Sequence, residues 1–314
     1  MNNDIIQLDV SVIIPCFNEE ATIGKVITAV KNELHEGKFL FEIIVVDNGS
    51  FDGSTTVAKK HNAKVLTSQA TTVAGVRNMG AKKARGKVFV FLDADVIVQA
   101  SWGANLRGIF DLLASNEMIT GSHCSVPDDI PPLLGSWYNA IANDRRDTHF
   151  GTGHMIVSSY IFDKLDGFNQ DIITGEDYDF CLRAKTIGVA VVSNPRLIAC
   201  HLGFPNTFLG FAKREIWHGE GDCANWQSVL RSKVAVCGIA CMSLTFLTLV
   251  FLFFDAKIST ALVMLLFIEV TTVNYYKFGF GEPHDFFSRS IVAYFYLLSR
   301  GLALPFSILK ITQS

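Results

Sequence analysis

Apolar and polar positions alternate in blocks along the first two hundred residues. Residues 10–14 (Val10, Ser11, Val12, Ile13, Ile14) form a short run stopped by Pro15 and the polar stretch Cys16-Phe17-Asn18-Glu19-Glu20. Ile23, Val26, Ile27 and Val30 then recur at spacings of three and four, which predicts an amphipathic helix. Residues 41–46 read as a second buried strand, followed by the turn-rich cluster Asp47-Asn48-Gly49-Ser50-Phe51-Asp52-Gly53-Ser54, in which Ser54 or Asp52 suits a helix cap. Val65-Leu66 predicts a short strand and residues 73–84 a helix. Residues 88–92 predict a strand apolar on both faces that ends abruptly in Asp93-Ala94-Asp95. Strands alternating with helices imply an α/β fold with a doubly wound, mostly parallel sheet.

Beyond residue 100 the pattern loosens. Residues 126–132 read as a loop, 133–145 as a helix, and 151–157 as a strand entered through Gly151 and Gly153. Thr174 suits an N-cap for a helix over residues 176–187 whose first turn holds Glu176, Asp177 and Asp179, and residues 189–193 read as a short strand before His201. One acid in a first helical turn is explained by the helix dipole, and three exceed what capping needs.

From residue 231 the character changes. Arg231 and Lys233 precede an uncharged apolar run over 234–254, and a second run, 258–276, contains Glu269. At about 1.5 Å per residue each run is long enough for a hydrocarbon core of about 30 Å. A mid-membrane carboxylate costs roughly 3 kcal/mol, so Glu269 is expected to face protein. Residues 277–289 look interfacial. A third apolar segment, about 290–309, is interrupted by Arg300, Gly301 and Pro305, and reads as spanning, re-entrant or interfacial. The expected division is a catalytic domain over 1–230 and a membrane region over 231–314. Arg231, Lys233 and Lys277 put both outer ends of the helical hairpin on the cytoplasmic side.

Composition narrows the function. The net charge is −3 among 314 residues and no basic stripe occurs, which argues against a nucleic-acid partner. The seven cysteines are dispersed, fitting a reducing compartment rather than a disulfide framework or a zinc site. The first nine residues are polar, with no apolar signal core. Neither a G-x-G-x-x-G nor a P-loop pattern is present. Instead, carboxylates and amides fall at three strand ends: Asn18 and Glu19, Asp47, and Asp93 with Asp95. Two hard oxygen ligands at a strand end suit a divalent cation that also holds phosphates. An ionised carboxylate facing it, such as Asp177, suits a base for an attacking hydroxyl.

These segments together resemble family 2 glycosyltransferases of the GT-A fold, of a membrane-anchored bacterial type. The matching stretches are residues 11–19, 45–54, Arg77-Asn78-Met79-Gly80, 91–95, Gly167-Phe168 and Gly175-Glu176-Asp177, in the family's order. The resemblance implies that Pro15, Phe17 and Glu19 line a nucleotide pocket and that Asp47 contacts the base. It also implies that Arg77 lies near the base or phosphates, that Asn78 holds the loop, and that Asp93 faces ribose and sugar. Asp95 would ligate Mg²⁺ or Mn²⁺, with His201 near the metal or diphosphate. Asp177 matches the catalytic base, implying inversion at the anomeric carbon. Glu176, Arg214, Trp217 and His218 fall where acceptor or diphosphate contacts are expected. Lys213-Arg214 and Trp217 only partly echo the motif of processive synthases, so transfer of a single sugar is expected.

The implied protein moves one sugar from a nucleotide-diphosphate donor to a lipid-linked, glycan or other membrane-proximal acceptor for a cell-envelope polysaccharide. It would work at the bacterial inner membrane with its catalytic domain in the cytoplasm. The alternatives are a non-catalytic membrane scaffold on a degenerate transferase fold and a nucleotidyltransferase. The second normally carries a Gly-rich basic loop where this chain has residues 15–19.

Overall fold

A computed structural model describes residues 7–143, 151–223 and 226–311. Two compact units emerge: 1–127 with 145–203, and 128–144 with 204–314. The expected boundary near residue 230 thus falls inside the second unit.

The first unit begins β1 (Leu8–Cys16), α1 (Ile23–Glu36), β2 (Phe41–Asp47), α2 (Ser54–Lys60), β3 (Lys64–Thr67), α3 (Val73–Lys82) and β4 (Gly86–Leu92). It continues with β5 (Val96–Val98), α4 (Trp102–Ala114) and β6 (Met118–Gly121). After α5 (Pro132–Ala142), which belongs to the second unit, come β7 (His154–Ser158), α6 (Ser159–Lys164), α7 (Glu176–Thr186), β8 (Ala190–Ser193) and β9 (Ala199–His201).

Seven strands form one sheet in the order β3-β2-β1-β4-β7-β6-β8. The first four are mutually parallel, β7 runs antiparallel to both β4 and β6, and β8 returns parallel to β6. The unbroken apolar run of β4 follows from burial on both faces. Val88, Val90 and Leu92 pack with Val26, Val30 and Trp102 in one core, while Phe89 and Phe91 pack with Phe162, Phe168 and Phe180 in the other. Parallel pairing brings the carboxyl ends of β1, β2 and β4 to one edge. Because β7 is reversed, its amino end joins them, with His154 opposite Leu92.

A separate two-stranded sheet pairs β5 with β9, setting Val96 opposite His201. The sequence gives little sign of β5, because three residues directly after an Asp-x-Asp turn carry no periodicity.

The second unit adds α8 (Phe208–Asp222), α9 (Trp226–Arg231), α10 (Lys233–Phe254), α11 (Ala256–Phe278) and α12 (Pro283–Ile311). By length and composition α10 and α11 are able to cross a membrane, with Phe246, Phe253, Met264 and Phe267 all exposed. The third apolar segment lies within α12, which starts earlier than expected and is long enough but less apolar than α10 and α11, with Pro305 inside it. Helices α10 and α12 touch backbone to backbone: a Cβ on Gly238 would stand 2.7 Å from the amide nitrogen of Gly301. Trp137 of α5 packs its ring against Phe211, Phe278 and Tyr296.

Candidate active site

Two loops at the sheet edge are stitched to each other. The Asn18 amide donates to Ser50 Oγ at 2.9 Å, and Asn18 Oδ1 accepts from the Phe51 amide at 3.0 Å. The Glu19 amide donates to Ser54 Oγ at 2.7 Å. Asp47 is buried, and its carboxylate accepts from the amides of Gly49 and Ser50 at 3.2–3.3 Å. Gly49 has φ +87°, a conformation that favours glycine, so this turn depends on it. Asp47 therefore shapes its own loop. Helix α2 begins after Gly53, and Asp52 accepts from the Ser54 amide at 2.9 Å. Pro15, as expected, ends the apolar part of β1. Beyond it Phe17 and Phe51 meet edge to face, with centroids 6.1 Å apart, and are 54% and 86% exposed. A solvent-facing aromatic pair at a strand end offers a flat stacking surface. Phe51 was not singled out from the sequence, where it reads as one more turn residue.

Arg77, on α3, corrects its sequence-based expectation. Its guanidinium is 3% exposed rather than open to phosphates. Nη2 lies 2.6 Å from Asp93 Oδ1 and Nη1 lies 2.7 Å from Glu176 Oε1. Burial opposes its charge, but the two carboxylates outweigh burial and hold Arg77 above its ordinary range. It is an internal strut between the end of β4 and the start of α7. The next residue does what was expected: Asn78 donates to the Phe168 carbonyl at 2.8 Å and accepts from the Phe168 amide at 3.0 Å.

Asp93, Asp95 and His201 converge. One potential ligand atom from each lies within 4.8 Å of the others, and His201 Nε2 is 3.2 Å from Asp95 Oδ2. The β5–β9 pairing produces this across more than a hundred residues of sequence, helped by the Leu202 amide donating to the Asp95 carbonyl at 2.8 Å. Glycines leave room for the acids. A Cβ on Gly153 would stand 2.7 Å from Asp93 Oδ2, and one on Gly203 would collide with Asp95 Oδ2. Glu19 belongs to the same field. Burial raises its carboxyl above the ordinary range and Asp95 and Asp93 push it further, against a 2.6 Å bond from Thr22 and the pull of His201. Two carboxylates and an imidazole, with a third acid nearby, are a donor set that fits Mg²⁺ or Mn²⁺.

The three acids opening α7 have separate surroundings. Glu176, 6% exposed, accepts from Arg77 and, at 3.0 Å, from Thr152 Oγ1, so its expected acceptor role gives way to a structural one. Asp179 binds Arg183 at 2.8 Å, and Arg183 donates to the carbonyls of Leu165 and Gly167. Asp177 has no such cation among the described residues. Burial raises its carboxyl to about 6 and Glu176 adds to the rise, against the Tyr178 amide 2.7 Å from Oδ1 and the charge of Arg77. The N-cap is Gly175 at φ +90°, not Thr174. Asp177 lies against Gly151, and the carbonyl of Gly153 accepts the Asp93 amide at 3.1 Å. One loop thus borders both the Asp93 end of β4 and the Asp177 carboxylate.

Arg214, Trp217 and His218 lie on α8 in the second unit. The rings of His218 and Trp217 have centroids 4.8 Å apart and planes tilted by 56°. The His218 pKa falls to about 4, chiefly through burial, with Glu215 opposing and Arg300 and Arg214 adding to the fall. Arg214 lies beside the rings of Tyr138 and Phe204.

The chain is 25% identical over 229 residues to "Glycosyltransferase AglE" of Haloferax volcanii, covering 69% of this chain and 74% of that one. It is 26% identical over 223 residues to a Methanococcus voltae protein named dolichyl N-acetyl-alpha-D-glucosaminyl phosphate 3-beta-D-2,3-diacetamido-2,3-dideoxy-beta-D-glucuronosyltransferase, covering 61% and 66% of the two chains. The mannosyltransferase PcManGT of Pyrobaculum calidifontis, solved with GDP-Man and Mn²⁺, shares the fold at TM-score 0.61 and 14% identity, over 96% of this chain and 88% of that one. Residues 11–111 match the family model "Glycosyl transferase family 2". The chain is a transferase that carries a family 2 glycosyltransferase domain on a GT-A fold.

Proposed function

We propose that the protein moves a single sugar from a nucleotide-diphosphate donor to a hydroxyl on a lipid-linked or membrane-proximal acceptor, with inversion at the anomeric carbon. The observation that carries the reading is the tie between two carboxylate sets: Asp93 bonds Arg77, Arg77 bonds Glu176, and Asp177 follows Glu176 directly. Phe17 and Phe51 offer the base a stacking face, and the loop shaped by Asp47 supports it. Asp95, His201 and Asp93 would hold Mg²⁺ or Mn²⁺, which when bound neutralises the diphosphate as it leaves.

The acceptor hydroxyl gives its proton to Asp177 while its oxygen bonds the anomeric carbon. The carbon–oxygen bond on the opposite face breaks, and its electron pair departs with the nucleotide diphosphate. A carboxyl raised to about 6 is a stronger base than an ordinary aspartate and is still mostly ionised at pH 7. The two apolar helices and the dolichyl-linked substrate in the name of the Methanococcus relative support a membrane-proximal acceptor. On this reading α10 and α11 anchor the chain in the cytoplasmic membrane with the catalytic unit inside.

The test uses full-length protein in detergent, a panel of nucleotide sugars, and Mg²⁺ or Mn²⁺. Metal-dependent release of nucleotide diphosphate, with label entering the lipid fraction, is the expected result. Wild-type transfer rates in both Asp95→Ala and Asp177→Asn would exclude the mechanism.

A further inference from the structure

His154 opens β7 and is 1% exposed. The Trp102 indole donates from Nε1 to its Nε2 at 2.8 Å, and Ser122 Oγ lies 2.9 Å from its Nδ1. Ser122 Oγ donates in turn to the Leu197 carbonyl at 2.5 Å. An indole N–H can only donate, so Nε2 is the accepting nitrogen and the ring proton sits on Nδ1. Nδ1–H therefore donates to Ser122, whose own hydrogen goes on to Leu197. Burial lowers the ring's pKa to about 4, which leaves that one proton in place at neutral pH. The three bonds form a relay with a single direction, from α4 through β7 and the residue after β6 to the chain entering β9.

A core histidine needs no more than satisfied nitrogens, and this one has them. What it joins goes beyond packing. On its amino side lies the turn 151–153. The His154 amide donates to the Gly151 carbonyl at 3.2 Å, the Gly153 carbonyl accepts the Asp93 amide, and Thr152 Oγ1 donates to Glu176. Gly151 lies against Asp177. On the other side, Ser122 pins Leu197, two residues before β9 begins. The Ser125 amide then donates to the Ala199 carbonyl at 2.7 Å, and the His201 amide donates to the Ser125 carbonyl at 3.2 Å. Strand β9 delivers His201 Nε2 to Asp95 Oδ2.

We propose that His154 is a positioning residue for the metal-binding group: through Ser122 it fixes the approach to β9, and hence the place of His201 beside Asp95, while its backbone holds the turn against Asp93. The proposal rests on the reading of Asp93, Asp95 and His201 as metal ligands. His154 touches no reacting atom. Partners that orient metal ligands from behind typically govern about 10–100-fold in metal affinity.

The two arms of the ring can be removed one at a time. An asparagine amide nitrogen can stand where Nδ1 does, and a glutamine amide oxygen near Nε2. His154→Asn thus keeps the donor to Ser122, and His154→Gln keeps the acceptor for Trp102. Ser122→Ala cuts the link to β9 alone, and Trp102→Phe cuts the link to α4 alone. Full-length protein in detergent, without donor, is titrated with Mn²⁺, the free ion being read by electron paramagnetic resonance. Melting temperatures are taken on the same samples, and all four variants are expected to melt lower. Mn²⁺ affinity separates them: Ser122→Ala and His154→Gln should weaken it about tenfold, with Trp102→Phe and His154→Asn within about threefold of wild type. A histidine that served stability alone would lower melting without this split. Wild-type affinity in folded Ser122→Ala and His154→Gln, or an equal loss in all four variants, would overturn the proposal. Should His154→Gln fail to fold, Ser122→Ala against Trp102→Phe decides. Mn²⁺ binding that is absent from the wild type, or unchanged in Asp95→Ala, would remove the metal reading and this proposal with it. Binding that needs Asp95 but ignores Ser122 removes the positioning role alone.

Discussion

Arg77 and Glu176, ninety-nine positions apart in the chain, meet at 2.7 Å inside the first unit, and the other arm of the same guanidinium holds Asp93 at 2.6 Å. A buried charge so enclosed is costly to strand: removing one partner of such a pair typically destabilises by about 3–5 kcal/mol. Arg77→Ala should therefore lower stability by that order in denaturant titrations of the detergent-solubilised chain. A loss below about 1 kcal/mol would mean that the strut does not bear on the fold.

Asp177 gives a prediction of opposite sign. Its carboxyl titrates near 6 in the folded protein against an ordinary value of 3.8, so the folded state holds more protons between those values. Stability from this group is complete below the unfolded value and is lost as pH rises through about 6. By pH 7.5 the ionised form costs about 3 kcal/mol. Asp177→Asn should raise the melting temperature at pH 7.5 and leave it unchanged near pH 3.5, while transfer falls by about 10²–10⁴. A variant that is both less stable and fully active would refute the assignment.

The same carboxyl sets a pH limb. Sugar transfer at saturating acceptor should decline as pH falls through about 6, where Asp177 takes up its proton. Because donor and metal bring further charges, the midpoint is expected within about one unit of that value. Rates flat from pH 5 to 8 would point to a different base.

The Asp93, Asp95 and His201 group predicts a metal response without turnover. With Mn²⁺ at a hundred times its Kd, the folded protein should gain about 2.7 kcal/mol by mass action. EDTA removes the gain, Asp95→Ala abolishes it and His201→Ala reduces it, as scanning calorimetry can measure. A full gain in Asp95→Ala would place the ion elsewhere.

Phe51 is exposed enough to be replaced without loss of core. If it stacks on the base, Phe51→Ala should weaken donor binding by about 1–3 kcal/mol. That appears as a raised donor KM with kcat nearly unchanged. Unchanged KM would limit Phe51 to the contact with Phe17.

Much of the first unit was legible because its signals are local. The two-faced apolar run of β4, the Asp-x-Asp that follows it and the turn chemistry from Asp47 to Ser54 each depend on neighbouring residues. Long-range pairing was legible only in part. Nothing near Arg77 says that its partners are Asp93 and Glu176, because an arginine on an amphipathic helix ordinarily points to solvent. His201 could be connected with a metal only by resemblance, since its approach to Asp95 depends on the three-residue β5. The first turn of α7 shows its three acids, Glu176, Asp177 and Asp179, in the sequence itself. Which acid remained uncommitted required the positions of Thr152, Arg77 and Arg183.

The reversal of β7 within an otherwise parallel run has a consequence for divergence. Since β7 enters the sheet edge head-on to β4, the turn from Gly151 to His154 reaches Asp93 directly, whereas the chain that carries Asp177 leaves along β7 and returns after α6. The stretch between α6 and α7 can then change length or composition while β1, β2 and β4 keep their register. On the proposed function, changes in that stretch would alter the acceptor side of the site and leave the strand ends that face the donor in place.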